Sequence, residues 1–263
     1  MKEKNHRERA KNKLMGFWER QGGLKPPGEL TTHRDVHQVR IETRLISEML
    51  KPSDVLLDVG CGNGFATAIY AQKCKKVVGV DYSVKMVAAA RKAFATKKNL
   101  SFWQGDVLSL KDLPGHFTVV LTTRCLINLT SWSDQKKAIM NLHRILPSGG
   151  RMIFAEGVRQ GRANLNRLRG QLGLAVMPKV WHNIDFDMRK LELFLKKCFY
   201  IKRDVRLGAY DVLTRAIYPA WIYPKKPCYG TAFHALAERL YRVAGRNVWE
   251  DYSREICLEL VKK

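Results

Sequence analysis

Several absences narrow the field before any motif is read. The 263-residue chain has no apolar run long enough to span a bilayer, which excludes a helical membrane-spanning fold. Its first residues are charged and lack the apolar stretch of a secretory signal, so no such leader is expected. The six cysteines (Cys61, Cys74, Cys125, Cys198, Cys228 and Cys257) include no Cys-x-x-Cys pair. That argues against a zinc site and fits reduced thiols in the cytoplasm. No cluster with metal-ligand spacing occurs, so no metal is expected, and no internal repeat is evident. Acidic residues are scarce: 24 against 47 basic ones, for a net charge of +23. The excess is not a detachable tail. Residues 1–40 carry 10 basic and 5 acidic residues, 41–150 carry 15 and 8, and 151–263 carry 22 and 11. A uniformly basic surface suits RNA, DNA, anionic lipid headgroups or phosphate-bearing substrates; it also simply keeps a protein soluble.

What is present is a run of strand and turn signals. Val55-Leu56-Leu57-Asp58-Val59 reads as a short buried strand that breaks into Gly60-Cys61-Gly62-Asn63-Gly64 and then opens a helix. Glycines at that spacing let the backbone pass close to a ligand, and they do not match the Gly-x-Gly-x-x-Gly of dinucleotide folds. A second apolar strand ends in Asp81, about 20 residues past the first turn glycine, where a doubly wound sheet places a ribose-binding acid. Tyr82-Ser83-Val84-Lys85-Met86 then starts a helix with Ser83 as its N-cap. Further strands are read at Leu100–Val107, ending in Gly105-Asp106, at Phe117–Thr122, and after the Pro147-Ser148-Gly149-Gly150 turn. Amphipathic helices are expected over 36–50 and 131–146, a helix over about 64–74, and a loop at Gly22–Gly28.

In this order the segments over residues 36–157 resemble the class I S-adenosylmethionine (SAM) dependent methyltransferases. The resemblance implies an α/β, Rossmann-like sheet of seven strands, mostly parallel with the last antiparallel, and helices on both faces. It implies SAM as cofactor and S-adenosylhomocysteine as product. The SAM contacts would be Asp58, Gly60, Cys61, Gly62, Asn63, Gly64, Asp81, Tyr82, Met86, Asp106, Val107 and Arg124, with Asp106 facing the adenine amino group and Val107 packed near the ring. Cys61 and Cys125 are read as small fillers, not nucleophiles. The Asn/Asp-Pro-Pro-Tyr/Phe motif of the amino-methylating nucleic-acid enzymes is absent after the fourth strand, where Thr122-Thr123-Arg124-Cys125 stands.

The chain divides into a basic N-terminal arm, 1–35, and a methyltransferase domain, 36–263. Beyond the fifth strand, 158–186 and 207–250 are insertions, read with the arm as a lid over the acceptor. Asn128, Trp181, His182, Asn183 and Tyr210 are the expected acceptor contacts. His182, which titrates near neutral pH, is the candidate general base, with Arg124 and Tyr210 as orienting groups; each has an ordinary structural reading beside it. Arg-Cys-Leu-Ile-Asn-Leu, Trp-His-Asn and Thr-Arg-Ala-Ile-Tyr-Pro further resemble a bacterial subgroup associated with polysaccharide and secondary-metabolite pathways. Three functions follow: methyl transfer to oxygen or nitrogen of a sugar or other small molecule, with or without a phosphate; methylation of RNA; or SAM binding without catalysis. The expected location is the cytoplasm, with an anionic membrane surface as a further possibility.

Overall fold

The computed structural model describes residues 2–24, 33–110, 113–245 and 247–263. Seven strands form one sheet: β1 Val55–Val59, β2 Lys76–Asp81, β3 Leu100–Gln104, β4 Val119–Thr123, β5 Arg151–Gly157, β6 Phe199–Arg206 and β7 Glu255–Lys262. Their order is β3-β2-β1-β4-β5-β7-β6. The first five pair in parallel, whereas β7 runs antiparallel to both β5 and β6. This is the sheet that the sequence implies, with the reversed last strand.

The helices are α1 Lys2–Leu24, α2 Val36–Met49, α3 Phe65–Tyr70, α4 Val84–Ala93, α5 Trp132–Ile145, α6 Arg159–Gln171, α7 Met188–Cys198, α8 Gly208–Val212, α9 Tyr218–Ile222 and α10 Ala232–Ala244. A π-helical turn over Leu213–Ile217 joins α8 to α9 without a break in helical backbone.

Strand alternation builds two cores, one on each face of the sheet. Leu57, Val59, Val78, Val80, Val120 and Phe154 point to the side covered by α5 and α7, where Ile139, Leu142, Leu191 and Leu195 meet them. Leu56, Val77, Val119, Leu121 and Ile153 point the other way, onto Ile41, Leu45 and Ile46 of α2 and Tyr241 of α10. Central strands are therefore apolar on both faces. Their only polar freedom is at the carboxyl ends, where ligands bind in such sheets.

Local signals set the boundaries. Ser83 caps α4 by accepting from Met86 N at 3.2 Å, and Asp35 caps α2 by accepting from Gln38 N at 3.2 Å. The helix expected to 74 ends at Tyr70. There the Asn99 side chain donates to the carbonyls of Ala71 and Cys74, at 2.7 and 3.2 Å, and ends the run. Of the loop expected at 22–28, residues 22–24 instead complete α1; 25–28 lie outside the described residues. The N-terminal segment is thus a helix packed on α4. A Cβ at Gly22 would lie 2.9 Å from Met86 N, so only glycine allows this approach.

Candidate active site

The glycine turn sits where the chain reverses direction across the sheet, between β1 and β4. Gly60, Gly62 and Gly64 all have positive φ, at 78°, 53° and 76°. A Cβ on Gly60 would meet Cys125 Sγ at 2.5 Å, so here both the conformation and the space require glycine. The turn is tied down from β2. Gly60 N and Cys61 N donate to Val80 O at 2.7 and 3.1 Å, and Gly62 N donates to Asp81 Oδ2 at 2.9 Å. The other Asp81 oxygen accepts from Ser83 N at 2.9 Å. Asp58 accepts from Thr67 Oγ1 at 2.7 Å. Burial pushes the Asp81 carboxyl up to about 6 and that of Asp58 up to about 7, with the neighbouring Asp81 charge adding to the latter. Two buried carboxylates this close want a cation.

Two small cavities flank the turn. One, of about 80 Å³, is lined by Gly60, Asp81, Tyr82, Asp106, Val107 and the α1 residues Lys11, Leu14 and Met15. The other, of about 140 Å³, is lined by Asp58, Gly60–Asn63, Asp81, Tyr82, Met86, Arg124 and Trp18. Together they bring to one place every expected SAM contact except Gly64, which shapes the turn from behind, against Phe102. Helix α1 roofs the site through specific bonds. Lys11 Nζ pairs with Asp106 at 2.8 Å, Tyr82 donates to Leu14 O at 3.3 Å, and Glu19 accepts from Val84 N at 2.7 Å.

The loop after β4 forms the partition. Arg124 takes a left-handed φ of 48° and pairs with Glu42 of α2. Its carbonyl accepts from Asn128 Nδ2 at 2.7 Å, leaving the buried Asn128 Oδ1 without a partner. Glu156, fully buried at the end of β5, accepts from Cys125 N, Leu126 N and Ile127 N at 3.1, 3.0 and 3.2 Å. Burial outweighs these bonds and lifts its carboxyl to about 7. Cys125 is held as a thiol by burial and by the Glu156 charge, and Cys61 by burial and the Asp81 charge.

Beyond the partition lies a cavity of about 610 Å³. Phe17, Trp18, Arg124, Asn128, His182 and Asn183 line it, as do residues of both insertions. His182 packs among Phe17, Trp18 and Trp181, edge-on to both tryptophans, with ring centroids 5.0–5.5 Å away. Its buried Nδ1 has no partner, and burial lowers its pKa. Trp181 is not on the wall; it is half exposed, beneath Lys13 Nζ at 4.8 Å. Tyr210, expected to touch the acceptor, is fully buried in the core and donates to Asp35 at 2.8 Å. It lies inside α8 and its hydroxyl reaches Asp35, the N-cap of α2, which takes it off the cavity surface. Glu255 at the start of β7 does line the cavity. Burial, with Glu42 close by, lifts it to about 7. Among the described residues no three His, Cys, Asp or Glu side chains converge as metal ligands.

Residues 56–150 match a family described as a methyltransferase domain. A ubiquinone biosynthesis O-methyltransferase of Azotobacter vinelandii is 27% identical over 194 residues, 72% of this chain and 79% of its own length. The N-methyltransferase NodS of Bradyrhizobium japonicum, solved with S-adenosylhomocysteine, superposes with a TM-score of 0.58 at 14% identity, over 95% of this chain and 98% of its own. A Haemonchus contortus phosphoethanolamine N-methyltransferase reaches 0.63 at 14% identity, over 97% of this chain and 49% of its own. Residues 56–150 form a methyltransferase domain, and the fold is that of the SAM-dependent methyltransferases.

The methyltransferase's own groups fit that cofactor. Asn63 Nδ2, Thr123 Oγ1 and Asn128 Oδ1 are buried and unpartnered along the cavities, and Asp58 and Asp81 suit a ligand with positive groups. Four residues of this methyltransferase escape sequence reading: Trp18, Glu42, Glu156 and Glu255. Glu156 alone carried a signal, as an acid ending an otherwise apolar strand. The others reach the site from distant elements.

Proposed function

We propose that this methyltransferase transfers the methyl group of SAM to an oxygen or nitrogen of a sugar or other small molecule held in the 610 Å³ cavity. The observation that carries this reading is convergence on one residue: Asn128 lines all three cavities. The two cavities on the glycine turn would take the donor, and the larger one the acceptor. Asp58, the 60–64 turn, Asp81, Tyr82, Met86, Asp106, Val107 and Arg124 are the proposed SAM contacts. Asn128, His182 and Asn183 are proposed for the acceptor. The cavity is walled by the two insertions and by α1, which favours a small molecule over a polynucleotide. O- and N-methyltransferases both occur among the similar proteins, and both acceptor atoms remain open.

Bound SAM supplies a methyl group on a sulfonium sulfur that is already a good leaving group. The protein's task is then alignment and exclusion of water. Asn128 Oδ1, free and fixed by its amide's bond to Arg124 O, is placed to orient a hydroxyl or amine at the partition. For an acceptor that must lose a proton, two groups on the cavity wall can receive it. Glu255 is the better one, because it titrates near 7, whereas His182 has no carboxylate partner among the described residues and burial lowers its pKa.

Methyl transfer from labelled SAM into a cell extract, split into RNA, protein, glycolipid and small-molecule fractions, tests the reading. Label in the glycan or small-molecule fraction is expected. Label confined to RNA would replace this proposal with the nucleic-acid one.

A further inference from the structure

The large cavity is lined by six arginines, Arg34, Arg124, Arg162, Arg169, Arg215 and Arg254. Four are neutralised by carboxylates: Arg124 by Glu42, Arg162 by Asp185, Arg215 by Asp35 and Arg254 by Asp211. Two are not. Arg34 is exposed and has no carboxylate partner among the described residues. Arg169 spends its bonds on backbone carbonyls: Nε and Nη2 donate to Ala175 O at 2.9 and 2.7 Å, and Nη1 donates to Arg215 O. A guanidinium has five N–H donors in a fork, so two of Arg169's remain.

Arg169 and Arg215 meet where the two insertions touch. Arg169 is on α6 and Arg215 on the π-helical turn, a feature often found at functional sites. Arg215 is only 7% exposed and lies 4.8 Å from the Tyr229 ring, yet its buried Nε has no partner. Two guanidiniums are thus held together on a cavity wall with N–H donors to spare, although Arg215 also pairs with Asp35. Groups nearby register the field. Burial and the charges of Arg124, Arg215 and Arg254 lower His33 to about 3, and burial, with the Arg215 charge, depresses Arg169.

Resting on the acceptor-cavity reading above, we propose that the acceptor carries an anionic group, a phosphate or a carboxylate, that docks on Arg169 and Arg215, with Arg34 at the mouth. Forked guanidinium donors match both anions. Such a group would fix the distal end of the acceptor while Asn128 orients the reacting end.

Calorimetric titration of the full chain with inorganic pyrophosphate and, separately, malonate tests this, with SAM titrated into the same samples. Saturable binding of either anion is expected, weakened about tenfold or more in Arg169→Gln and about threefold in Arg34→Gln, with SAM affinity unchanged in both. Pyrophosphate alone would identify a phosphate-bearing acceptor, and malonate alone a carboxylate. The proposal is overturned if neither anion saturates, or if Arg169→Gln binds them as the wild type does. Should Arg169→Gln fail to fold, Arg34→Gln decides, and wild-type affinity there overturns it. Anion binding without SAM binding would instead count against the methyltransferase reading.

Discussion

At the scale of single residues, the site depends on carboxylates that are costly to bury. Asp81 spends one oxygen on Gly62 N and the other on Ser83 N, so it fixes the turn as well as facing the cavity. Asp81→Ala should weaken SAM binding at least tenfold, because each bond to a charged group is worth about 1.5–3 kcal/mol. Equilibrium titration checks this, and an unchanged Kd would sink the assignment. Glu255 carries a second prediction. Its carboxyl titrates near 7, so the proton-accepting form grows as pH rises through that value. The rate with a hydroxyl acceptor should climb between pH 6 and 8. Glu255→Gln should lower the plateau and flatten the rise, whereas His182→Ala should leave its shape intact. A flat wild-type profile would remove Glu255 as the base.

At the scale of elements, β1, the glycine turn and the loop after β4 behave as one unit. Gly60→Ala places a methyl 2.5 Å from Cys125 Sγ and forces a side chain into positive φ. A cost of about 1–2 kcal/mol is expected from the backbone alone, with clash added. Thermal melting and SAM titration should both show the loss. Adding Cys125→Ala should recover little of it, since the φ penalty remains and the Cβ of residue 125 still lies 2.6 Å from the new methyl; full recovery would mean that the Sγ contact was the whole effect. These elements were also the legible ones. Strands buried on both faces read as apolar runs, and each ends in a turn residue or an acid whose chemistry has a reason. The partition was only half legible. Arg124 and Asn128 stood out, but Glu42 and Glu156, which hold their loop, arrive from α2 and β5. Spacing along the chain says nothing about such meetings. Tyr210 misled for the same reason: a hydroxyl-bearing ring in an insertion looks like a substrate contact until packing turns it inward.

At the scale of the whole molecule, protonation and stability are linked. Asp58, Asp81, Glu156 and Glu255 all titrate higher in the fold than in an unfolded chain, near 7, 6, 7 and 7. Stabilisation from such groups is complete below their unfolded pKa of about 4 and is lost as pH rises through the folded values. Without cofactor these four carboxyls pull the melting temperature down between about pH 4 and 7, while His33 and His182, whose values burial lowers, pull it up as pH rises toward about 6.5. A positively charged ligand beside Asp58 and Asp81 favours their ionised forms, so the stabilisation due to SAM should grow over the same interval. Melting curves with and without SAM test both halves; a SAM-induced shift independent of pH would contradict the placement of its charges. The insertions, visible in sequence only as residues left over from the sheet, supply much of the wall of the large cavity.

Trp18 belongs to a helix that roofs one pocket, and it forms part of the wall of the next. With the proposed donor beneath that roof, an acceptor seated against Trp18 would hold the roof down over it. On the proposed function, traffic is expected to be sequential: the cofactor enters before the acceptor, and the methylated product departs before the spent cofactor. Product-inhibition kinetics would read this order directly, with S-adenosylhomocysteine competing against SAM but not against the acceptor.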